Sequence, residues 1–539
     1  MAGSIGYAER LSWRDDVGGT LGTPEFEEAD DAELQRKIDA LAELIRESRA
    51  KSGGMVVHTG AGISTSIGIP DFRGPNGVWT AQKRGAPMPE AKCTLDTAVP
   101  SLTHMALVEL RKHGYVRYLV SCNVDCLHLR SGFPREDLAE LHGNCFAERC
   151  ERCEKEYIRD FEMQTVGFEY TGRTCDSCAQ AEEINNKRKR GSASDARVAP
   201  RRSSRSSTSR SAVARLRDQV LDWDDALPPE ELRSAEKHSR ETCLSLVLGS
   251  SLQITPSCDI PLETVKKRKG KRGKLVIVNL QETPKDRMAT MLVRAKTDVV
   301  MAGVMRRLGL RVPEYVRRDR VTVGLRLSTA DPERPTLAVR VGSSHGWDNP
   351  VPWLEGVSFT ICDGGGLENG LERFELLDAR TRDALIDARM ADGSHEPDKP
   401  DARFFGGPCF ENALRPSDEA FRALLERKKT RARFQLTLAE GCTERRAGFE
   451  VEMEDLRLWT GHESLTTHSV ITSRRRYEDP DPVPVPAPAR RAEKKKKSHL
   501  PRMEDTKRNK PKPAPAGSLA KNEAPDPVAA RIRAAIAMR

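Results

Sequence analysis

The chain reads as an α/β protein: a Rossmann-like parallel sheet with a small metal-binding module inserted, then a C-terminal antiparallel β accessory domain, with disordered basic segments between and after them. Three observations carry this expectation. Short apolar runs at 55–58, 116–121, 244–248 and 275–279 alternate with helical patterns, as strands do when helices cover both faces of a parallel sheet. Four cysteines stand as two C-x-x-C pairs. Beyond residue 313 the apolar pattern switches to a period of two, which is the pleat of half-buried strands.

Residues 1–52 supply a lead and a packing helix. Leu34, Ile38, Leu41 and Ile45 recur at helical intervals behind an aspartate able to cap the first turn. The run Met55-Val-Val57 then feeds straight into His58-Thr-Gly-Ala-Gly-Ile-Ser64. Gly60 and Gly62 lack a Cβ, so the chain can turn sharply off a strand and bring backbone N–H groups against a pyrophosphate, and a helix starting near Ser64 would aim its positive end at the same anion. A dinucleotide is the ligand this predicts. The next glycine is Gly68, and no acid stands where a standard unit of this kind holds the ribose, which argues against a plain dehydrogenase. Thr103–Arg111 reads as a second packing helix leading to the strand Val116–Val120, with His104 a helix-start residue rather than a catalytic one.

Cys150-Glu-Arg-Cys153 and Cys175-Asp-Ser-Cys178 are separated by 21 residues. Two such turns facing each other offer four thiolates to tetrahedral Zn²⁺, and with every ligand a cysteine no coordination site is left for water, so the zinc is expected to be structural. The total of thirteen cysteines is odd, and they are scattered, unlike a secreted disulfide framework. Met1-Ala-Gly-Ser-Ile-Gly6 opens no apolar leader, and no stretch approaches the roughly 20 apolar residues of a membrane span. The expectation is a soluble intracellular protein with no membrane partner.

Charge is distributed unevenly. Residues 185–215 carry +9 and residues 473–539 carry +10 against a chain total of +9, leaving about −10 for the remainder. The Ser/Arg run within about 181–215 has too few apolar residues to offset ordering entropy and is expected to be disordered. It reads as a nucleic-acid contact, a nuclear-import signal or a solvated spacer. A further basic cluster, Lys266–Lys274, fits a surface loop ahead of the strand at 275. The tail from Ser473, with its Pro-rich stretch and Lys494-Lys-Lys-Lys497, is expected to be flexible and able to meet nucleic acid electrostatically. Together these clusters favour the nucleus.

The stretch Gly60-Ala-Gly-Ile-Ser64 followed by Gly68-Ile-Pro-Asp-Phe-Arg73 resembles the signature of the sirtuin family, the NAD-consuming protein deacylases. Further blocks follow in the family's order: Ser121-Cys-Asn-Val-Asp-Cys-Leu-His128, Leu138-Ala-Glu-Leu-His-Gly-Asn144, Leu248-Gly-Ser-Ser-Leu-Gln253 and Val276-Ile-Val-Asn-Leu-Gln281. The resemblance covers about residues 5 to 313, and Val78-Trp79, Leu141-His-Gly-Asn144 and Asn279-Leu-Gln281 are most similar to the nuclear class IV branch. It implies a catalytic domain over 53–313, with the zinc module at about 143–180. Gly60, Ala61, Gly62, Ser64, Thr65, Asp71, Phe72, Arg73 and Trp79 would hold NAD on the first loop. Asn123 and Asp125, counted with His142 as catalytic, would surround the carboxamide of nicotinamide, and Cys122 would stand at the nicotinamide ribose. Gly249, Ser250, Ser251, Asn279, Leu280 and Gln281 would hold the adenosine half. It also implies the chemistry: the acyl oxygen of a modified lysine attacks the ribose carbon, nicotinamide leaves, and His142 acts as the base, an imidazole being able to take a ribose hydroxyl proton at neutral pH. Acylated lysine in proteins, with histones foremost, would be the substrate.

Two positions depart from the family pattern. Cys122 stands where the family has glutamine and Cys126 where it has glycine, so a weak hydrogen-bonding thiol replaces an amide and a larger side chain enters a position permissive for positive φ. Reduced activity is expected. The rival reading is a weakly catalytic NAD-sensing chromatin adaptor, and mono-ADP-ribosylation is a further enzymatic option. Residues 314–472 lie beyond the resemblance. Val321–Leu327, Thr336–Val341, Val357–Ile361, Phe434–Leu438 and Phe449–Met453 alternate as antiparallel strands, with one helix around Glu419 to Arg427. They suggest a sandwich that serves as a binding module or packs on the catalytic core.

Overall fold

The computed structural model describes residues 3–12, 14, 18–182, 184, 214–266, 273–328, 336–362, 370–376, 409–414, 431–452 and 464–477. The Ser/Arg run, most of the Lys266–Lys274 cluster, the helix expected at 419–427 and the tail beyond 477 lie outside these residues.

Helix α1 spans Gly3–Arg10 and α2 spans Asp31–Ser52. Asp30 caps α2 by accepting the Glu33 N–H, and Gly53 ends it at φ 71°, a left-handed backbone that favours glycine. Its predicted stripe is the buried one: Ile38, Leu41 and Ile45 pack into the sheet core. The following strands are β1 Met55–Thr59, β2 Val116–Ser121, β3 Leu138–Glu140, β4 Gly143–Cys150, β5 Glu156–Ile158, β6 Tyr170–Thr174, β7 Arg215–Val220, β8 Leu244–Leu248, β9 Lys274–Val278 and β10 Met291–Val293. Six of them form a parallel sheet in the order β10-β9-β8-β1-β2-β3. Every residue of β1 and β8 is buried, which is why they read as unbroken apolar runs. The chain builds outward from β1 on one side, then returns to build on the other. The crevice between the ends of β1 and β8 is therefore the topological switch point where α/β sheets hold ligands. Helices α3 (Val78–Arg84), α4 (Leu102–Lys112), α5 (Leu127–Arg130), α6 (Pro229–Glu241) and α7 (Thr297–Leu308) cover and border it. His104 starts α4 in a reciprocal cap with Ser101.

The metal module is a second, antiparallel sheet ordered β5-β4-β7-β6. It extends past the expected limit near residue 180. Strand β7, which follows the basic insertion, returns to pair with β4, Cys150 opposite Leu216, so the insertion interrupts the module between β6 and β7 rather than following it.

The C-terminal strands are β11 Tyr315–Ser328, β12 Thr336–Ser343, β13 Leu354–Cys362, β14 Gly370–Leu376, β15 Phe410–Leu414, β16 Arg431–Leu438, β17 Arg446–Glu452 and β18 Ser464–Arg475. They form two four-stranded antiparallel sheets, β15-β12-β11-β18 and β14-β13-β16-β17. Alternate residues meet between the sheets: Val321, Val323 and Val339 of the first share one apolar cluster with Phe359 and Phe434 of the second and with Trp353, and within the second sheet the paired Phe359 and Phe434 rings lie 5.1 Å apart. This is a sandwich, as the period of two predicted. Its end is corrected: Ser473–Arg475 belong to β18, paired with Arg317, Val316 and Tyr315, because ladder bonds to β11 hold backbone that composition alone assigns to a loose tail. The sandwich packs on the metal module. Arg173 donates to Asn349 at 2.6 Å, and the Trp353 indole N–H donates to Asp160 at 3.4 Å.

Candidate active site and metal module

The glycine-rich turn works by close approach. A Cβ on Gly60 would lie 2.7 Å from the Gly249 carbonyl oxygen, and one on Gly249, itself at φ 59°, would lie 2.7 Å from the Gly62 carbonyl carbon. The turns after β1 and β8 thus touch backbone to backbone, which side chains would forbid. The expected helix at Ser64 is absent. Two short 3₁₀ turns, Ala61–Ile63 and Thr65–Ile67, run to Gly68 at φ 91°, because that glycine ends the run and Ile69 and Pro70 continue as loop. Any anion here would meet turn amides, not the end of a long helix.

At the sheet's carboxyl edge lies one cleft of about 1130 Å³, which falls slightly above the usual range for small-molecule sites. Every predicted contact on the four loops after β1, β2, β8 and β9 lines it, together with His142, except Ser64 and Asp125. Those two stand one layer behind: the Ser64 hydroxyl donates to Asp125 Oδ2 at 2.8 Å, while Asp125 Oδ1 accepts the Leu127 N–H at 3.0 Å and starts α5. Asp125 is fully engaged in shaping the 122–130 loop. Asn123 donates to the Gly60 carbonyl at 3.2 Å, locking that loop to the glycine turn. Phe72, Trp79 and Trp223 form a tilted aromatic wall with centroids 4.6 and 4.9 Å apart. The Arg73 guanidinium lies 4.8 Å over Trp79 and donates to the Gly18 carbonyl at 2.6 Å.

His142 faces the cleft with its tautomer set by its neighbours. Nδ1 lies 3.1 Å from the Cys122 carbonyl oxygen, which can only accept, so Nδ1 carries the proton. Nε2 is then the lone-pair nitrogen, and the Ser257 hydroxyl, 3.1 Å away, donates to it. Burial pushes the imidazole pKa below its ordinary value, against a smaller rise from the Cys122 carbonyl. The ring is therefore an unprotonated base at neutral pH, presenting Nε2 to a hydroxyl. Below it, Asn144 donates to both oxygens of buried Glu140 at 3.0 Å, whose carboxyl is pushed up to about 8 by burial.

Ser257, Tyr7, Gln253 and Trp223 were not predicted as site residues, although all four line the cleft. Tyr7 lies in the N-terminal lead outside any motif, whereas Gln253 and Trp223 stand in stretches that resemble the family, Leu248–Gln253 and Leu216–Trp223, and Ser257 follows Gln253 by four residues, so those positions were the available signal. The N-terminal lead also crosses the cleft: Thr20 N–H bonds to Gln253 at 2.5 Å, and Gln281 donates to the Thr23 carbonyl at 2.8 Å.

The four predicted metal ligands converge. The sulfurs of Cys150, Cys153, Cys175 and Cys178 all lie within 4.8 Å of one another, with Cys150–Cys178 at 3.8 Å and Cys153–Cys175 at 3.7 Å. Tetrahedral Zn²⁺ with Zn–S of about 2.3 Å needs sulfurs about 3.8 Å apart. Backbone N–H groups of Arg152 and Cys178 point at Cys150 and Cys175 at 3.3 and 3.4 Å, as bound thiolates require. The residues fit a structural zinc.

A parallel sheet with its cleft at the switch point, a base-form imidazole in that cleft and an all-cysteine metal module define a nucleotide-cleft α/β protein with a structural zinc site. Its relatives make the class specific. The Sir2 family model matches residues 89–256. The chain is 46% identical over 358 residues to NAD-dependent protein deacetylase SRT1 of Oryza sativa subsp. indica, covering 66% of this chain and 65% of that protein. It is 44% identical to the Arabidopsis thaliana SRT1, covering 67% of each, and 40% identical to NAD-dependent protein deacetylase Sirt6 of Drosophila melanogaster, covering 58% of this chain and 87% of that protein. The chain belongs to the Sir2 family. It spans just under two thirds of the rice relative's length.

Proposed function

We propose that the protein is an NAD-dependent protein-lysine deacylase that yields nicotinamide, free lysine and O-acyl-ADP-ribose, and that it acts on histones or other nuclear proteins. The observation that carries the reading is His142, held as a neutral base with Nε2 facing the cleft. NAD would supply a labile glycosidic bond, and the protein's part is placement. Gly60, Ala61 and Gly62 offer turn amides and Arg73 a cation to its phosphates. Asn279 and Gln281 border its adenosine end. Asn123, held on the Gly60 carbonyl, and the loop that Asp125 ties to Ser64 shape the nicotinamide end, and His142 takes a ribose hydroxyl proton. Cys150, Cys153, Cys175 and Cys178 would hold zinc and keep the module folded. Nuclear action is supported by the basic clusters at 187–190 and 494–497. Among the described residues no helix is long and apolar enough to cross a membrane.

The test is nicotinamide released in step with deacetylation of an acetyl-lysine peptide, abolished in His142→Ala. Release without deacetylation would remove the deacylase reading. A second reading, a weakly catalytic NAD-sensing adaptor, is favoured by Cys126, buried at φ 62°. It predicts NAD binding with negligible turnover.

A further inference from the structure

We propose that the β-sandwich is a positioning element for the cleft, acting on the 122–130 loop through the segment Leu95–Pro100 clamped between them. This rests on the deacylase reading above. The segment is gripped from two sides. From the cleft side, Arg130, the last residue of α5, donates to the Leu95 carbonyl. Its guanidinium lies 4.0 Å over the Phe146 ring, and its backbone N–H bonds to the Cys126 carbonyl at 2.9 Å. From the sandwich side, Arg317 of β11 donates to the Asp96 carbonyl, and the Tyr477 hydroxyl, just past β18, donates to the Pro100 carbonyl at 2.6 Å. Between these points Gly441 lies so close that a Cβ there would sit 2.0 Å from Thr97 Oγ1. The metal module joins the same segment, since Asp96 Oδ1 accepts the Glu162 N–H at 3.0 Å.

Burial makes the grip stiff. The Arg317 side chain is 5% exposed and paired with Asp319 at 2.8 Å, so it has little freedom to give way. Leu95 and Ala98 pack in one apolar cluster with Val124, Cys126 and Leu127, and close-packed contacts pass a displacement on rather than absorb it. Cys126 gives the clamp a task. A non-glycine residue at φ 62° persists only where its surroundings over-determine it. A chain that has cysteine at this position needs the loop held from outside, and the sandwich supplies part of that hold.

The experiment uses the full chain and two conservative variants. Tyr477→Phe removes one hydroxyl and keeps the ring, and Arg317→Lys keeps a cation beside Asp319. Backbone hydrogen exchange over 122–130 is expected to rise about threefold or more in each, the scale of one lost hydrogen bond. Exchange over the central strand 244–248 should stay unchanged. The KM for NAD and the concentration of nicotinamide needed for inhibition should rise by a similar factor, with the KM for acetyl-peptide unmoved. Unchanged exchange over 122–130 in both variants, or a rise no larger there than over 244–248, overturns the proposal. A wild-type chain that consumes no NAD would defeat the deacylase reading yet leave the exchange comparison intact.

Discussion

Cys126 is the residue on which sequence and structure meet most sharply. Its family counterpart is glycine, and the backbone here is left-handed, at φ 62°, which costs a non-glycine residue about 1–2 kcal/mol. Reverting to glycine relieves that strain but removes a buried side chain from a packed cluster, so the melting temperature should change little. Turnover should respond instead. Cys122→Gln together with Cys126→Gly should raise kcat, since a restored amide contact is worth about 0.5–1.5 kcal/mol; an unchanged rate would refute the argument. Ser257 makes a separate prediction. Its hydroxyl donates to the lone pair of His142 Nε2 and so stabilises the neutral ring. Ser257→Ala should shift the acid limb of kcat/KM for NAD to higher pH, with the alkaline side unmoved. A profile identical to wild type would show that the serine does not act on the imidazole.

At the scale of elements, the metal module has the least apolar support. Its cluster around Cys150, Cys175, Cys178, Ala214 and Leu216 is small, so the zinc has to supply folding free energy. Zinc content should be one ion per chain, and a strong chelator should increase protease cleavage within 143–180 before β1 and β8 lose hydrogen-exchange protection; simultaneous loss would show that the module has no separate stability. On the face toward the sandwich, Glu148 is fully buried between Arg159 at 2.7 Å and Arg173 at 3.3 Å. Glu148→Ala leaves two cations unpaired and should destabilise by about 3–5 kcal/mol, read as a lower denaturant midpoint. The first effect follows from the paired cysteines alone, and the second is not legible in the chain. The C-x-x-C spacing exposed the four thiols, but Glu148, Arg159 and Arg173 come from three separate strands and loops and carry no shared motif.

For the whole molecule, pH dependence follows from buried histidines. His58 and His104 are held neutral, each pKa pushed down to about 3 by burial, and His128 falls well below its usual value for the same reason. The unfolded chain binds these protons at about pH 6.5 while the folded chain does not, so the folded state loses stability as pH falls through 6.5 and on toward 3. The melting temperature should therefore decline from pH 7 to pH 5, and His104→Gln should flatten that decline. A slope unaltered by the substitution would place the acid sensitivity elsewhere.

What the chain determined by itself was whatever depends on near neighbours. Apolar runs specified four of the six strands of the central sheet, period two specified five of the eight sandwich strands, paired cysteines specified the zinc site, and the order of motifs specified the family and the loops that border the cleft. Tertiary structure decided what depends on distant segments meeting. It turned the expected helix at Ser64 into 3₁₀ turns ended by Gly68 and placed Ser64 and Asp125 behind the cleft wall. It also brought Ser257 to the imidazole and set the sandwich against residues 95–100. The physical reason is that periodicity and spacing report backbone preference and burial within one segment. A hydrogen bond between residues 115 or 377 positions apart, as for His142 with Ser257 and Pro100 with Tyr477, exists only once the sheet and sandwich have brought those segments together.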